Sequence, residues 1–495
     1  MTPDNAPVAR KKPAERLCAA CLLVAASWTF AGVPTRSVVA TEPATAAVER
    51  LVEVSLAVRG SLFAEASPER SPVSQPIELD ARFRFTEPAA AEPTDPAGGG
   101  EGDQRAPLCR RYHAAMAEFA TDGRRSQTTL AADAADLLVS VRGTTPIPYL
   151  ADGFLSREEA DLLDVPFDAA LVDQMRPTAA VRVAETWRVA ADLSAGLLAI
   201  DTIESGGIDA RLVAVRDGVA EVALEGTVTG AIDGAATRIE ITGSYRCSAT
   251  PDADRWLLRA PIEDLSVDVA ERREAGWVAP GLDVTATLTL RRAPTERTRG
   301  EAIESADQLA PPVADRPSGP GRPGIVWERH RQGRYSLVLD ERWRVVEDSS
   351  EGLVMRLLDR GALIAQCSIL PLPRTAAEKP PELETVRRDV ERSLGDQFGQ
   401  IASAESTTRG DGTRVVRVVA EGTAEDRPFR WIHQVLTDPA GYRAAVTCMH
   451  EPAMADRFGI ADRELVAGLV LMADRPDEPL REARNRSSSP EVPRD

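Results

Sequence analysis

The sequence predicts an α+β protein in two domains: an N-terminal curved antiparallel β-sheet domain with two packed helices, then a second domain whose sheet is covered by helices. Three observations predict it. Apolar and polar residues alternate through most of the chain up to about residue 292, as they do in half-buried strands. Two stretches inside that region carry helical spacing instead. A run rich in Pro, Gly and charge, Ala293–Gly324, then separates it from a region of different character. At 495 residues the chain exceeds one compact core, which agrees with more than one domain.

The chain opens with an expected secretory signal peptide over residues 1–40. Arg10, Lys11, Lys12 and Arg16 form a basic start, Leu17–Val33 is an apolar run, and "VVA" before Thr41 offers small residues at a cleavage site. The expectation is export to the periplasm or beyond, with no transmembrane domain after cleavage; an uncleaved N-terminal membrane anchor is the alternative. From residue 41 to 292 the strands follow one another. "VEVSLAVRGSLF" and "IELDARFRF" alternate, and Thr86–Pro107 reads as a low-complexity loop. "IDARLVAVRDGVAEVALEGTVTGAIDGAATRIEITGSYRC" holds two hairpin turns, Asp217-Gly218 and Asp233-Gly234. "DRWLLRAPIEDLSVDVAERRE" and "GLDVTATLTLRR" continue the meander. The two helices are "SREEADLLDVPFDAALVDQM", opened by Ser156 with Glu158 and Glu159 in capping positions, and "DLSAGLLAIDTI".

After residues 293–324, read as an interdomain linker, "RYSLVLDERWRVVED" and "GLVMRLLDRGALIAQCSILPL" are strands, the latter turning after Asp359. "PPELETVRRDVERSLGDQFG" is an amphipathic helix. "GTRVVRVVAEG" and the hairpin "RPFRWIHQVLTDPAGYRAAVTCMHEP" return to strand, "DRELVAGLVLMA" closes as a helix, and residues 474–495 read as a disordered tail.

Composition bounds the function. Net charge is −18, so a nucleic-acid partner is excluded on global electrostatics. The only lysines are Lys11, Lys12 and Lys379, and arginine carries the remaining positive charge. No GxSxG, HExxH or phosphate-cradling loop occurs, so no catalytic residue, metal ligand or cofactor-binding residue is assigned and no cofactor is expected. Four cysteines lie beyond the signal: Cys109, Cys247, Cys367 and Cys448. None has zinc-type spacing, and one disulfide per domain and four free thiols are both open.

The hairpin holds two of the four histidines. With Asp438–Gly441 as its turn, Thr437 faces Tyr442, His433 faces Val446 and Cys448 faces Trp431. His433 and Cys448 are then diagonal neighbours on one face, roughly 7–8 Å apart. Packing under helices accounts for these residues; a ligand or partner contact through Trp431, His433 and Cys448, or a Cys448 nucleophile with His433 as base, are the sharper alternatives. His330, in "WERHRQGRY", is a further candidate contact for an acidic partner. His113, beside Arg110 and Arg111, is a weaker anion-binding candidate.

The elements "YSLVLDERWRV", "DRPFRWIHQVLTDPAGYRAAVTC" and "FGIADRELVAGLVLM" resemble the PsbP/DcrB-like α/β/α sandwich over residues 325–473. The resemblance implies an extracytoplasmic or assembly-related binding protein and no enzyme, and it transfers no site residue. "AAVRVAETWRV" resembles a strand–turn–Trp step of exported sheet domains from uncharacterised bacterial families, without an activity. The expected function is therefore a non-enzymatic exported binding or assembly protein of the cell envelope with an envelope protein as partner. The alternatives are a carrier of an apolar, lipid-like small molecule held by the N-terminal sheet domain, and a thiol-dependent hydrolase.

Overall fold

A computed structural model describes residues 49–64, 73–88, 106–276, 278, 280–295, 308–375 and 381–472. The signal segment, most of the 86–107 loop, the first part of the 293–324 segment and the 474–495 tail lie outside the described residues. In chain order the first elements are β1 (Glu49–Ala64), β2 (Val73–Pro88), β3 (Leu108–Thr121), β4 (Arg124–Thr129), β5 (Asp136–Arg142), β6 (Thr145–Tyr149), β7 (Leu155–Ser156), α1 (Arg157–Leu163), α2 (Ala169–Val172), β8 (Thr186–Arg188) and α3 (Ala191–Leu198). The long strands β9 (Thr202–Arg216), β10 (Val219–Ile232), β11 (Ala235–Asp252), β12 (Arg255–Arg273) and β13 (Gly281–Pro294) follow. Then come β14 (Ile325–Arg329), β15 (Tyr335–Asp340), β16 (Trp343–Asp348), β17 (Leu353–Asp359), β18 (Ala362–Leu372), α4 (Leu383–Leu394), β19 (Phe398–Thr408), β20 (Arg414–Ala424), β21 (Arg427–Thr437), β22 (Arg443–His450), α5 (Ala455–Phe458), α6 (Ala461–Ala467) and β23 (Leu469–Leu471).

The expected α+β class is corrected by this census. Strands take 61% of the described residues and helices 15%, in three sheets of twelve, four and seven strands. The helices are shorter than their sequence patterns for local reasons. Pro166 interrupts "SREEADLLDVPFDAALVDQM", leaving α1 and α2 as separate short pieces. "DRELVAGLVLMA" ends its helix at Ala467, and Leu469–Leu471 turns into strand β23 against β15.

The chain divides into two compact units. The first contains the described residues up to Trp327 with Leu339–Arg344 and Arg356–Ile364; the second contains Glu328–Val338, Val345–Met355 and the described residues from Ala365 on. In the first unit the twelve-stranded sheet runs β6-β5-β3-β2-β1-β13-β12-β11-β10-β9-β8, with β4 beside β3. Hairpins build it locally. Asp217-Gly218 and Asp233-Gly234 both take positive φ at both turn residues, the conformation a two-residue turn needs to match strand twist. One non-local seam joins β1 to β13, with Val58 opposite Ala286. Alternate residues of these strands, among them Phe83, Phe119, Leu224 and Leu265, form one core with Leu171 of α2 and Leu197 of α3. Ser156 caps α1 through a reciprocal box with Glu159, as the sequence indicates.

The described part of the Pro/Gly-rich segment is fastened to the first unit. Ala132 donates to the Ala310 carbonyl at 2.8 Å, and Ala310 donates to the Leu130 carbonyl at 2.9 Å. Arg316 bonds both carboxylate oxygens of Glu159 at 2.8 Å and one of Asp133 at 2.7 Å. Gly321 lies so close to Leu150 that a Cβ there would stand 1.6 Å from its carbonyl oxygen, so no side chain fits. Because Glu159 is buried, deleting Arg316 removes its ion-pair partner and leaves its charge on the Ser156 and Ala131 amides alone. Arg316→Ala is expected to cost about 3–5 kcal/mol, read by urea unfolding, and to open residues 308–324 to limited proteolysis; unchanged stability and cleavage would refute the anchoring role.

In the second unit β18, β22, β21, β20 and β19 run side by side and antiparallel. On one face Val386, Val390 and Leu394 of α4, spaced to share a helix side, pack over Val416, Val418, Ala420 and Trp431. The other face carries Arg417, Val419, Arg430, Ile432, Gln434, Cys448 and His450. Asp462 of α6 takes bonds from Arg417 and Gln434 there.

Candidate functional site

The hairpin register decides where its side chains go. The connection is five residues, Asp438–Tyr442, closed by the Asp438 amide on the Tyr442 carbonyl at 3.0 Å and the Gly441 amide on the Asp438 carbonyl at 3.0 Å. Thr437 therefore pairs with Arg443, not Tyr442, and every expected pair shifts by one. His433 faces Thr447, Trp431 faces Met449, Ile432 faces Cys448 and Arg430 faces His450. Side chains alternate between faces, so His433 and Cys448 point to opposite sides of the sheet. The expected diagonal pair does not form.

Trp431 is buried under α4, with its ring centroid 5.9 Å from that of Phe429. His433 shares that face, its Nδ1 3.0 Å from Thr447 Oγ1, and burial lowers its pKa to about 4. Cys448 is fully buried; a hydrogen bond with Cys367 and burial raise its pKa well above the usual thiol value. His330 is also buried, stacked on Tyr335 at 4.6 Å with Nε2 3.3 Å from the Ser349 carbonyl, so it belongs to a turn in the core rather than to a solvated edge. His113 is the extra residue of a β-bulge, skipped between the pairs Arg84–Ala114 and Phe85–Tyr112. Burial, then Arg84 and Arg111, lower its pKa. Its neighbour Arg110 is already engaged, bonding both oxygens of Asp168 at 2.8 and 2.6 Å. All four described cysteines are free thiols: Cys109 is exposed, Cys247, Cys367 and Cys448 buried.

What the sheet does assemble is a cavity of about 270 Å³ in the second unit, on the face away from α4. Its floor is the cross-strand row Ser403–Val419–Ile432. Arg417 stands in the row on one side, Arg430 and His450 in the row on the other, and Phe458 of α5 closes one wall. Arg417, Arg430 and His450 are each held by a partner. Arg430 donates through Nη2 at 2.6 Å and Nε at 3.2 Å to one oxygen of Glu421, whose carboxyl is held below its usual range by Arg430 and Gln400. Arg417 donates through Nε to Asp462 at 2.8 Å. His450 stacks on Phe458 with centroids 4.6 Å apart, and its Nδ1 lies 2.8 Å from the Glu451 carbonyl. Burial is the main cause of its lowered pKa, so the ring is neutral near pH 7.

The lining contains two guanidinium groups, an imidazole and apolar walls, with no carboxylate among the lining residues. Both guanidinium groups are paired with carboxylates that lie outside the lining, Arg430 with Glu421 and Arg417 with Asp462. Sequence reasoning passed over Arg417, Arg430 and Ser403. One signal was available: Arg417 interrupts the apolar run "RVVRVVA", and a charge inside a strand covered on both faces needs a buried partner.

A second concavity, of about 240 Å³, lies in the first unit between the Thr144–Pro146 turn, Asp164, Asp168, Asp192 and Asp201. Burial pushes Asp164 up to about 7. Burial and the nearby Asp233 push Asp201 up to about 7, although Asp201 accepts the Asp233 amide at 2.7 Å. A raised carboxyl binds its proton more tightly folded than unfolded, so stability falls as pH rises from about 4 towards 7 and stays lower above. Asp201→Asn, which keeps the acceptor, is expected to gain melting temperature over the native chain as pH rises from 5 to 8; a pH-independent difference would sink this assignment.

No protein-family model matches the sequence, and no curated protein matches it. Among solved structures, the chain is similar to cyanobacterial PsbP (CyanoP) from Synechocystis sp. PCC 6803, with 14% identity over 30% of this chain and 93% of that one and a TM-score of 0.25. It is likewise similar to PA94, a protein of unknown function from Pseudomonas aeruginosa, with 15% identity over 31% of this chain and 99% of that one and a TM-score of 0.22. A third similarity, to OccK5 (OpdH) of Pseudomonas aeruginosa, spans 80% of this chain and 96% of that one at 5% identity and a TM-score of 0.13.

Proposed function

We propose that the chain is a non-enzymatic, exported binding protein of the cell envelope, and that its second unit captures a small anionic group attached to an apolar stem. The observation that carries this reading is the cavity of about 270 Å³ with Arg417, Arg430 and His450 set around an apolar floor. Export is supported by the basic start and the apolar run Leu17–Val33. A binding role is supported by the way Arg417, Arg430 and His450 are each held in place by a partner, which lowers the entropy lost when a ligand orders the site. The anionic group is either that of a free small molecule or a carboxylate presented by an envelope partner protein.

The test is a thermal-shift panel of aliphatic and aromatic carboxylates and phosphate esters against the purified protein, followed by calorimetric titration of any that stabilise it. A charge-assisted bond contributes about 1.5–3 kcal/mol. Arg430→Gln is therefore expected to weaken such a ligand roughly 10- to 100-fold while leaving the fold intact. Equal affinity in native and variant protein would remove Arg430 from the site, and no stabilisation by any panel member would count against the small-molecule form of the reading.

A further inference from the structure

The row that floors the cavity does not stop at Ile432. Across β21 and β22 Ile432 is opposite Cys448, and across β22 and β18 Cys448 is opposite Cys367. The two cysteines are therefore direct cross-strand partners, on the same face, in the second unit, and both are fully buried free thiols. Directly opposed antiparallel residues have Cα atoms about 4.5–5.5 Å apart, inside the span of about 4.4–6.8 Å that a disulfide bridges. Cys109 and Cys247 have no such relation: one is exposed on β3, the other buried on β11, with β2, β1, β13 and β12 between them in the sheet.

We infer that Cys367 and Cys448 are a covalent modification site, closing to a cross-strand disulfide by exchange with a disulfide-bearing oxidant. One cysteine thiolate attacks a sulfur of the donor disulfide, forming a mixed disulfide and releasing one donor thiolate. The second cysteine thiolate attacks the protein sulfur of that mixed disulfide, forming the Cys367–Cys448 bond and expelling the second donor thiolate. The pair loses two protons and two electrons, and the donor is reduced to two thiols. Burial of both sulfurs, and the raised pKa of Cys448, make the exchange slow in the closed sheet and place it during folding, before β18 and β22 seal over the pair. Once made, the bond ties β22 to β18 two residues from His450, and so fixes the strand that carries one wall of the cavity.

The experiment refolds the full chain from denaturant and reductant into a mixture of oxidised and reduced glutathione, quenches with acid, blocks remaining thiols under denaturing conditions, and maps the digest by mass spectrometry. The expected result is a linked pair of peptides containing Cys367 and Cys448, with Cys109 and Cys247 recovered blocked. In Cys367→Ala and in Cys367→Ser the link disappears and Cys448 is recovered blocked or carrying glutathione. A second arm adds the same glutathione mixture to already folded, reduced protein, where formation of the link is expected to be at least 10-fold slower. Recovery of Cys367 and Cys448 both blocked after oxidative refolding, or linked to other cysteines instead of each other, would overturn the assignment.

Discussion

A strand turns successive side chains to opposite faces, so in a chain that is mostly strand the length of each turn decides what every residue after it touches. The second unit shows this most sharply. The hairpin between β21 and β22 is closed around Asp438, whose side chain accepts the Tyr442 amide at 2.8 Å while its backbone closes the loop at both ends. That five-residue closure sets Arg430 with His450 and Ile432 with Cys448 on the cavity face, and Trp431 and His433 on the α4 face. A four-residue closure would exchange the partners of β22 and bring a different set of side chains into the site. Which side chains of β22 join the cavity face follows from that loop, and the register with β18 then sets Cys448 opposite Cys367.

The first unit depends on a different device, buried arginine. Arg110 is nearly inaccessible, forks onto Asp168 and lies 4.8 Å from the Phe85 ring centroid. Asp168 also caps α2 by accepting the Ala170 amide at 2.7 Å, so one carboxylate joins β3 to the helix above it. Arg292 of β13 does the same from the other side, reaching Asp173 at 2.8 Å and the Ala169 carbonyl. A planar fork with five donors can satisfy two or three acceptors at once in a dry setting, where the single ammonium of a lysine serves less well. Helices of seven and four residues are too short to hold themselves. These forks, together with apolar burial, locate them on the sheet.

Strand existence and turn chemistry were legible in the sequence because they rest on local rules. Alternation gave the long strands, the Asp-Gly pairs gave two turns, and Ser156 with Glu159 gave the start of α1. Helix length was not legible, since "DRELVAGLVLMA" has helical spacing throughout and only its pairing with β15 makes the end a strand. The candidate site was legible least. Its residues come from β19, β20, β21, β22 and α5, and no local pattern relates Ser403 to Ile432 or Cys367 to Cys448. Those relations exist only once three registers are fixed, and an error of one residue in any of them moves half the site to the other face. Nor does the arginine content show which guanidinium groups are buried, as Arg110, Arg273 and Arg292 are in the first unit.

The same electrostatics constrain what the cavity can hold. Arg430 and Arg417 already face Glu421 and Asp462, so an incoming anion does not meet two uncompensated charges. The resident carboxylates orient the forks and remove part of their charge, which favours a ligand that uses the remaining N–H donors over one that must displace Glu421 or Asp462. Arg430 directs Nε and Nη2 to Glu421, leaving Nη1 without a partner among the described residues, and it is the more exposed of the two. An anion would meet the N–H donors that those carboxylates leave free. The rest of a ligand would lie against the floor of Val419 and Ile432 and the wall of Phe458, side chains that are themselves largely buried. In the proposed reading, the anionic end of a ligand would face Arg430, the more exposed of the two guanidinium groups, and the rest would follow the shape of the Ser403–Val419–Ile432 row.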